Sequence, residues 1–197
     1  SINIVRVTED YEEKNKTLAY KTTSQNNKNL DKGIVKTVQR GKNGEVKIKE
    51  KVTYHDGEEY SREIVEEEVT KEPVTEIKEI GTNTLVATSR GTKTFSRAIT
   101  VTATGYCSDS ACVGNRNGLV TASGTRPKAN RTVAASSSLP FGTDLYIPYF
   151  KGASNGGMFV VEDRGGAISG NRIDIYFNTH EEALRFGRRT FKVYVLQ

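Results

Sequence analysis

The most informative segment of the chain reads Phe159-Val-Val-Glu-Asp163-Arg-Gly-Gly-Ala-Ile-Ser-Gly-Asn-Arg-Ile-Asp174-Ile-Tyr-Phe177. Both of its ends are apolar and strand-like, which predicts two β-strands. The connection is rich in glycine, so the backbone can turn tightly there and come close to a ligand. The two strands should therefore place Asp163 and Asp174 at one end of a sheet, and we predict that this pair forms the functional centre.

The two halves of the chain differ in charge and in apolar content. Residues 83–197 hold seven acidic and fourteen basic side chains, whereas residues 1–82 hold seventeen and fifteen. All seven phenylalanines lie in the second half. Because apolar burial must offset about 1–2 kcal/mol of backbone entropy per residue, only the second half can bury a substantial core. We predict thin sheets in residues 1–82, a Thr- and Ser-rich linker at 83–97 and a compact domain at 98–197. Within the linker, Leu85-Val-Ala could alternatively pair as a strand.

The first half has the alternation of strands. The run Gly44-Glu-Val-Lys-Ile-Lys-Glu-Lys-Val52 places Val46 and Ile48 on one face, and Asp56-Gly57 is typical of a hairpin turn. Five glycines are spread over this half, at Gly33, Gly41, Gly44, Gly57 and Gly81. Their layout resembles the five-glycine (G5) domain of bacterial surface proteins and cell-wall enzymes. The resemblance implies an elongated pair of small β-sheets, which acts as an adhesive module for N-acetylglucosamine polymers or as a spacer without a ligand.

Short strand patterns recur through the second half, at residues 98–106, 144–150, 158–163, 172–177 and 190–196. One helix is well signalled, because Thr179 can cap its start and Glu182 follows three residues later, as in a capping box. Gly187 can end this helix. Many short strands with a single short helix predict a small closed barrel.

Several short blocks in this half occur in the order of a known family. They are Val101-Thr-Ala-Thr-Gly-Tyr-Cys107, Thr121-Ala-Ser-Gly124, Thr132-Val-Ala-Ala-Ser136, Leu139-Pro-Phe-Gly-Thr143, Val161-Glu-Asp-Arg-Gly-Gly-Ala-Ile168, Asn171-Arg-Ile-Asp-Ile-Tyr-Phe177 and Ala183-Leu-Arg-Phe-Gly-Arg-Arg189. Together they resemble the three-aspartate (3D) domain of stationary-phase survival and resuscitation-promoting-factor-like cell-wall proteins, and the related barrel of membrane-bound lytic transglycosylase A. The resemblance implies a double-psi β-barrel that cleaves peptidoglycan. Ser136 differs from the sequence pattern of the 3D domain, because the family usually has its first aspartate at this position.

The resemblance implies a lytic transglycosylase, which cuts between N-acetylmuramic acid and N-acetylglucosamine and leaves 1,6-anhydro ends. One carboxyl group can do this by protonating the bridging oxygen and then taking the proton of the sugar's own 6-hydroxyl. We assign that role to Asp174, because Ile173 and Ile175 point to the opposite strand face. Asp163 would orient the sugar or share the proton as a coupled partner. The alternative is a non-catalytic module that binds peptidoglycan.

The family blocks imply further contacts with the sugar. We expect them from Tyr106, Thr121, Ser123 and Lys128, and from the turn that holds Gly165 and Gly166.

Cys107 and Cys112 are the only cysteines of the chain. In a secreted wall protein they would form a small disulfide that pins the loop between them. A zinc site is the alternative, but its other ligands would be His55, His180 or carboxylates at no recognisable spacing. We therefore predict no metal and no cofactor.

The expected partners are peptidoglycan glycan strands. A late basic cluster, formed by Arg185, Arg188, Arg189 and Lys192, indicates either attraction to anionic wall polymers or simply a solvated helix face. No nucleic acid is predicted, because no aromatic-interleaved or helix-turn-helix pattern accompanies the basic residues. No apolar stretch approaches the roughly 18 residues of a membrane span. We expect an extracellular protein of the bacterial cell wall, with its signal or anchor outside this sequence.

Overall fold

The computed structural model describes residues 4–113 and 120–197, and these are mainly β. Residues 1–3 and 114–119, which fall inside the predicted domains, lie outside the described residues. The strands are β1 (Val7–Leu18), β2 (Thr22–Asp31), β3 (Val35–Gln39), β4 (Gly44–His55), β5 (Glu58–Lys71), β6 (Glu76–Asn83), β7 (Leu85–Thr88), β8 (Gly91–Tyr106), β9 (Thr132–Ala135), β10 (Asp144–Tyr146), β11 (Met158–Asp163), β12 (Arg172–Tyr176) and β13 (Arg189–Leu196). The helices are α1 (Ser110–Val113) and α2 (His180–Phe186), with a 3-10 turn at Pro148–Phe150.

The chain divides into two compact units. The first comprises Ser1–Asn26 and Val35–Glu79, and the second comprises Asn27–Ile34 and Ile80–Gln197. Residues 83–97 differ from the predicted linker, because they form β7 and the start of β8, which pair with Leu85 opposite Thr94. The polar Thr and Ser side chains suit this position, since β7 is an edge strand of its sheet.

The first unit is built on a thin antiparallel sheet with the strand order β1-β4-β5. On the central strand, Val46, Ile48 and Val52 are buried on one face, as the alternation predicts. Ile48 lies opposite Lys14 on β1 and Glu67 on β5. Long charged side chains can cover an apolar residue with their aliphatic stems while their heads remain in water. The sheet therefore buries one row of apolar residues without a second layer.

A second small sheet has the order β2-β6-β3. A Cβ atom at Gly81 would overlap the backbone of Asp31, and a Cβ at Gly41 would overlap the ring of Tyr20. Only glycine permits such close approaches. A Cβ at Gly33 or Gly44 would likewise overlap a backbone carbonyl oxygen, so steric contacts require four of the five glycines in the sequence pattern.

The second unit contains a closed barrel. Its sheet has the order β12-β9-β11-β10-β13-β8-β7, and a further pairing of β12 with β8 closes six of these strands into a ring. The pairs β11–β9 and β12–β8 are parallel, and the other pairs in the ring are antiparallel. The predicted closed β-barrel is confirmed.

Inward-facing residues of all six strands fill this barrel. They are Val101, Ala103, Val133, Ala135, Leu145, Phe159, Val161, Ile173, Ile175, Val193 and Val195. Helix α2 packs Phe186 against the same cluster. Its predicted capping box is present, with Glu182 N–H donating to the Thr179 hydroxyl and the Glu182 carboxylate accepting from the Thr179 N–H.

Candidate functional site

The two aspartates flank a common neighbour on the outer face of the barrel. In the strand register, Asp163 on β11 and Asp174 on β12 both pair with Ala134 on β9, which runs between them. Residues paired across a sheet point to the same face, so the two carboxyl groups share one face. Two strand spacings separate their backbones by roughly 9–10 Å. The small side chain of Ala134 is all that the register places between them.

A β-bulge turns Asp163 towards this face. Strand β11 pairs Val161 with Val133 and then Asp163 with Ala134, so Glu162 is the extra residue. Without the bulge, Asp163 would follow Val161 into the core, because residues two apart in a strand share a face. Glu162 is buried instead against Arg131 and the Thr132 hydroxyl, which donates to its carboxylate at 2.7 Å.

The carboxylate of Asp163 is held by three hydrogen bonds. Oδ2 accepts from the Tyr106 hydroxyl at 2.8 Å, and Oδ1 accepts from the backbone N–H groups of Ala122 and Arg164, both at 2.8 Å. Burial, together with the neighbouring Asp163 carboxylate, raises the pKa of the Tyr106 hydroxyl. Tyr106 therefore stays protonated and acts as a donor to Asp163.

The carboxyl group of Asp174 is in a different environment from that of Asp163. Within the part of the chain that the structure describes, its buried Oδ1 has no hydrogen-bond partner. Burial raises the pKa of this carboxyl group from 3.8 to about 6, and the negative charge of Asp163 acts in the same direction, whereas the Thr104 hydroxyl opposes the shift. A carboxyl group with such a pKa still holds a proton in a useful fraction of molecules near neutral pH.

Asp174 borders a cavity of about 190 Å³. Its wall is formed by Thr102, Thr104, Ala167, Ile168, Arg172, Ile173, Asp174 and Arg188. Ala167 and Ile168 belong to the glycine-rich connection, so this connection borders the cavity. An adjoining cavity of about 300 Å³ shares Arg172 and Ile173 with it and adds Arg97. Three arginines therefore line this region together with Asp174.

The predicted substrate contacts are only partly brought together. Tyr106 lies at Asp163, but it does not line the cavity beside Asp174. The Thr121 hydroxyl is buried and bonded to Ser123 and Thr125, so it holds the turn 121–125 together. The same turn places the backbone N–H of Ala122 so that it donates a hydrogen bond to Asp163. Ser123 is exposed at this turn.

Lys128 and the two glycines have backbone roles. The Lys128 backbone exchanges hydrogen bonds with Thr132 at the start of β9, and its side chain is exposed. Gly165 starts a turn in which its carbonyl accepts from the N–H of Ile168 at 3.0 Å. A Cβ at Gly165 would crowd the Ile168 side chain, whereas Gly166 faces open space. None of the three lines the cavity beside Asp174.

Ser136, at the position where the family usually has an aspartate, makes a local bridge. Its hydroxyl donates to the Gly170 carbonyl at 3.1 Å and contacts the Ser138 hydroxyl at 2.7 Å. This contact joins the end of β9 to the connection that precedes β12. An ionised carboxylate could not donate to the Gly170 carbonyl.

In the structure Cys107 and Cys112 are free thiols, where the sequence predicted a disulfide. Burial and the neighbouring Cys112 raise the pKa of the Cys107 thiol to about 11. The Cys112 sulfur lies 3.3 Å from Nδ1 of His180, the first residue of α2. Sequence spacing gave no sign of this approach, since His180 lies 68 residues after Cys112.

The late basic residues do not form one patch. Arg188 lines the cavity beside Asp174, whereas Arg185 and Arg189 line a separate cavity of about 400 Å³ with Tyr149 and Phe186 among its walls. Lys192 forms an ion pair with Asp31 at 2.7 Å.

Sequence reasoning missed several residues of the site. Ala122 and Arg164 hold Asp163 through backbone N–H groups, which any residue type supplies. The Arg164 side chain also donates to the carbonyls of Asp163 and Leu139, and it lies 4.0 Å from the centre of the Phe141 ring. Thr104 could have been found, because strand alternation places it on the face opposite Ala103.

Among the described residues, no helix has the length and apolarity needed to cross a membrane.

Comparison with known proteins gives two family matches. The G5 domain matches residues 9–83, and the 3D domain matches residues 131–197. YabE of Bacillus subtilis (strain 168), named as a cell wall shaping protein, is 30% identical over 113 residues, which are 55% of this chain and 25% of YabE. YocH of the same organism, named as a cell wall-binding protein, is 30% identical over 105 residues, which are 51% of this chain and 33% of YocH.

The chain therefore spans about a quarter and a third of the length of these curated relatives. Among solved structures, MltA from E. coli is 29% identical, with 42% of this chain and 28% of MltA covered, at a TM-score of 0.33. The chain thus contains a G5 domain over residues 9–83 followed by a 3D domain over residues 131–197.

Proposed function

We propose that the barrel is a lytic transglycosylase that cleaves the glycan strands of peptidoglycan. The observation that carries this proposal is the contrast between the two acids on the outer face. Asp163 accepts three hydrogen bonds through both oxygens, whereas Asp174 has a pKa near 6, a place in a cavity wall and a buried oxygen with no partner among residues 4–113 and 120–197. Asp163 is therefore held in place by hydrogen bonds, whereas Asp174 can exchange a proton with a ligand.

Asp174 is the acid and the base of the proposed reaction. In its protonated form it donates to the oxygen that bridges N-acetylmuramic acid and N-acetylglucosamine, and the glycosidic bond breaks as that oxygen takes the proton. The resulting carboxylate then accepts the proton of the 6-hydroxyl of the same muramic acid residue. The 6-oxygen bonds to the anomeric carbon and closes the 1,6-anhydro ring, so no water is consumed.

Asp163 supports this reaction from the second strand. Its negative charge helps to keep the pKa of Asp174 high, and it would stabilise the positive charge that develops on the sugar ring in an oxocarbenium-like transition state. A hydrolase that uses two carboxylates needs the second one as nucleophile or base. Because both Asp163 oxygens already accept hydrogen bonds, the one-acid route is favoured over hydrolysis.

The arginines beside Asp174 favour an acidic glycan. Arg97, Arg172 and Arg188 line the two adjoining cavities, whose volumes together fall within the roughly 300–1,000 Å³ of ligand pockets. The lactyl and stem-peptide carboxylates of muramic acid residues are anions that arginine can bind with two parallel hydrogen bonds. Anionic wall polymers would be attracted by the same charge.

The cell wall is the proposed location, with the G5 domain as an adhesive module for N-acetylglucosamine polymers. Support comes from the names of YabE and YocH, which refer to cell-wall shaping and cell-wall binding. The second candidate function is a peptidoglycan-binding protein without catalysis. It is favoured by Ser136, which replaces one of the family's three aspartates and serves a local hydrogen bond.

Products released from purified peptidoglycan distinguish these functions. The full chain is incubated with sacculi, and soluble fragments are identified by mass spectrometry, while the fraction of protein that pellets with the sacculi is measured. Fragments with 1,6-anhydro ends support the proposal. Fragments heavier by one water would show a hydrolase and refute it. Pelleting without release would favour the binding protein.

A further inference from the structure

We propose that Cys107, Cys112 and His180 form a binding site for one zinc ion. Each residue offers one ligand atom, and the three atoms all lie within 4.8 Å of one another. The Cys112 sulfur and the His180 Nδ1 are 3.3 Å apart. In a tetrahedral site with Zn–S bonds of 2.3 Å and Zn–N bonds of 2.0–2.1 Å, this separation is about 3.6 Å. The cluster is therefore close to the size that a zinc ion requires.

The three ligands come from separate elements that are each fixed by their own contacts. Cys107 follows directly after β8 and is fully buried. Cys112 lies in α1, where its N–H donates to the Asp109 carbonyl at 2.8 Å and closes the turn that brings it back to Cys107. His180 is the first residue of α2, whose start is held by the Thr179–Glu182 capping box. The site is thus largely preorganised before an ion binds.

The ligand types favour zinc over other ions. Two thiols and one imidazole are soft or borderline ligands, which suit zinc, whereas calcium and magnesium prefer oxygen ligands. Three protein ligands leave the fourth tetrahedral position for water. A disulfide between the two cysteines would account for neither the position nor the orientation of His180. The histidine is the reason to infer a metal site and not only a redox pair.

An ion at this site would support the anchored aspartate. Cys107 directly follows Tyr106, whose hydroxyl donates to Asp163. The Tyr106 ring packs edge-on against Tyr176 at 5.4 Å, and the Tyr176 hydroxyl contacts Ser108 at 2.9 Å. Zinc would tie the end of β8 to the start of α2 and hold this tyrosine pair in place. The inference is independent of whether the barrel cleaves glycans.

Zinc titration of the reduced, metal-free full chain tests the proposal. Affinity is measured by competition with a chromophoric chelator, and cobalt substitution reports thiolate ligands through a charge-transfer band. The wild type should bind one ion. The variants C112S and H180Q each remove one metal ligand. Removing only a hydrogen-bond partner of a ligand typically lowers metal affinity by roughly 10- to 100-fold, so the zinc affinity of each variant should fall by more than this.

His55→Gln is the matched control, because His55 is the other histidine of the chain and stacks on Tyr60 in the first unit. It should bind zinc as the wild type does. Circular dichroism of each variant shows whether the barrel remains folded, and His180→Gln keeps the test valid if a cysteine variant misfolds. The proposal is overturned if the reduced wild type binds no zinc, or if the C112S and H180Q variants bind it with unchanged affinity.

Discussion

Two acidic residues in the middle of strands, one in each unit, have opposite environments. Glu50 on β4 is buried, and it is paired with Lys14 and with Arg62, whose Nη1 lies 2.8 Å away. The hydrogen bond from Lys14, followed by that from Arg62, lowers the pKa of Glu50. Asp174 on β12 has an oxygen without a partner among the described residues, and its pKa is raised to about 6.

The opposite pKa shifts of Glu50 and Asp174 arise from the side chains on their neighbouring strands. Around Glu50, long basic side chains on β1 and β5 reach the carboxylate and offset its loss of hydration. Next to Asp174 the register places Thr104 and Ala134, and neither carries a charge. A buried acid that stabilises a sheet is therefore paired, whereas the acid at the proposed site is left available to a ligand.

The largest expected effect is on cleavage by D174N. Removing the proton donor should lower the release of anhydro fragments by about 10²- to 10⁴-fold, the usual contribution of general acid–base catalysis. Binding to sacculi should be retained. In the wild type, cleavage should fall as pH rises above about 6, because Asp174 loses its proton there. D144N, which alters an exposed acid, is the control, and normal cleavage by D174N would disprove the assignment.

The same substitution should stabilise the barrel. A folded pKa raised from 3.8 to about 6 means that the wild type is penalised once Asp174 ionises. The penalty is absent below pH 3.8, grows as pH rises to about 6, and is then constant, on the order of 3 kcal/mol. D174N should therefore have the higher free energy of unfolding above pH 6, measured by denaturant titration. A destabilised variant at pH 7 would contradict the structure.

A substitution of Glu50 should act in the opposite direction. Its lowered pKa means that Glu50 contributes stability above its unfolded pKa, and that this contribution is lost as pH falls through the folded value. E50Q should therefore exchange the amide hydrogens of β4 faster than the wild type at pH 7, and the difference should disappear in acid. Equal protection at pH 7, measured by hydrogen–deuterium exchange, would show that the ion pairs contribute nothing.

The smallest expected effect is that of S136A. The variant loses the hydrogen bond to the Gly170 carbonyl, which should cost about 0.5–1 kcal/mol of unfolding free energy because water can replace the partner at this half-exposed position. Cleavage should change little, since Ser136 does not line the cavity beside Asp174. A loss of cleavage comparable to that of D174N would instead place Ser136 in the reaction.

Much of the fold could be predicted from local patterns. Strand β11 has the predicted bounds, and the α2 capping box forms as Thr179 and Glu182 indicate. The direction of Asp174 was also predictable, because Ile173 and Ile175 lie in the core on either side of it in a regular strand. Residues 83–97 form β7 and the start of β8, and their polar composition is compatible with a linker as much as with an edge strand.

The direction of Asp163 could not be read in the same way. Strict alternation from Phe159 and Val161 would bury it, and the bulge at Glu162 reverses its side. A bulge depends on how two strands pair, and this information is spread over β9 and β11. Two of the three hydrogen-bond partners of Asp163 are also distant in sequence, since Tyr106 and Ala122 lie 57 and 41 residues away.

By itself, the sequence determined the strand periodicity, the helix ends, the glycine positions and the family resemblance, because each depends on residues close together in the chain or on a characteristic order of motifs. Only the tertiary structure decided which acid is anchored by hydrogen bonds, which acid has a buried oxygen without a partner in the described part of the chain, and that two cysteines meet a histidine. Hydrogen bonding and desolvation depend on neighbours brought together by closure of the barrel. The same carboxyl group can therefore be an anchor or an acid according to which strand lies next to it.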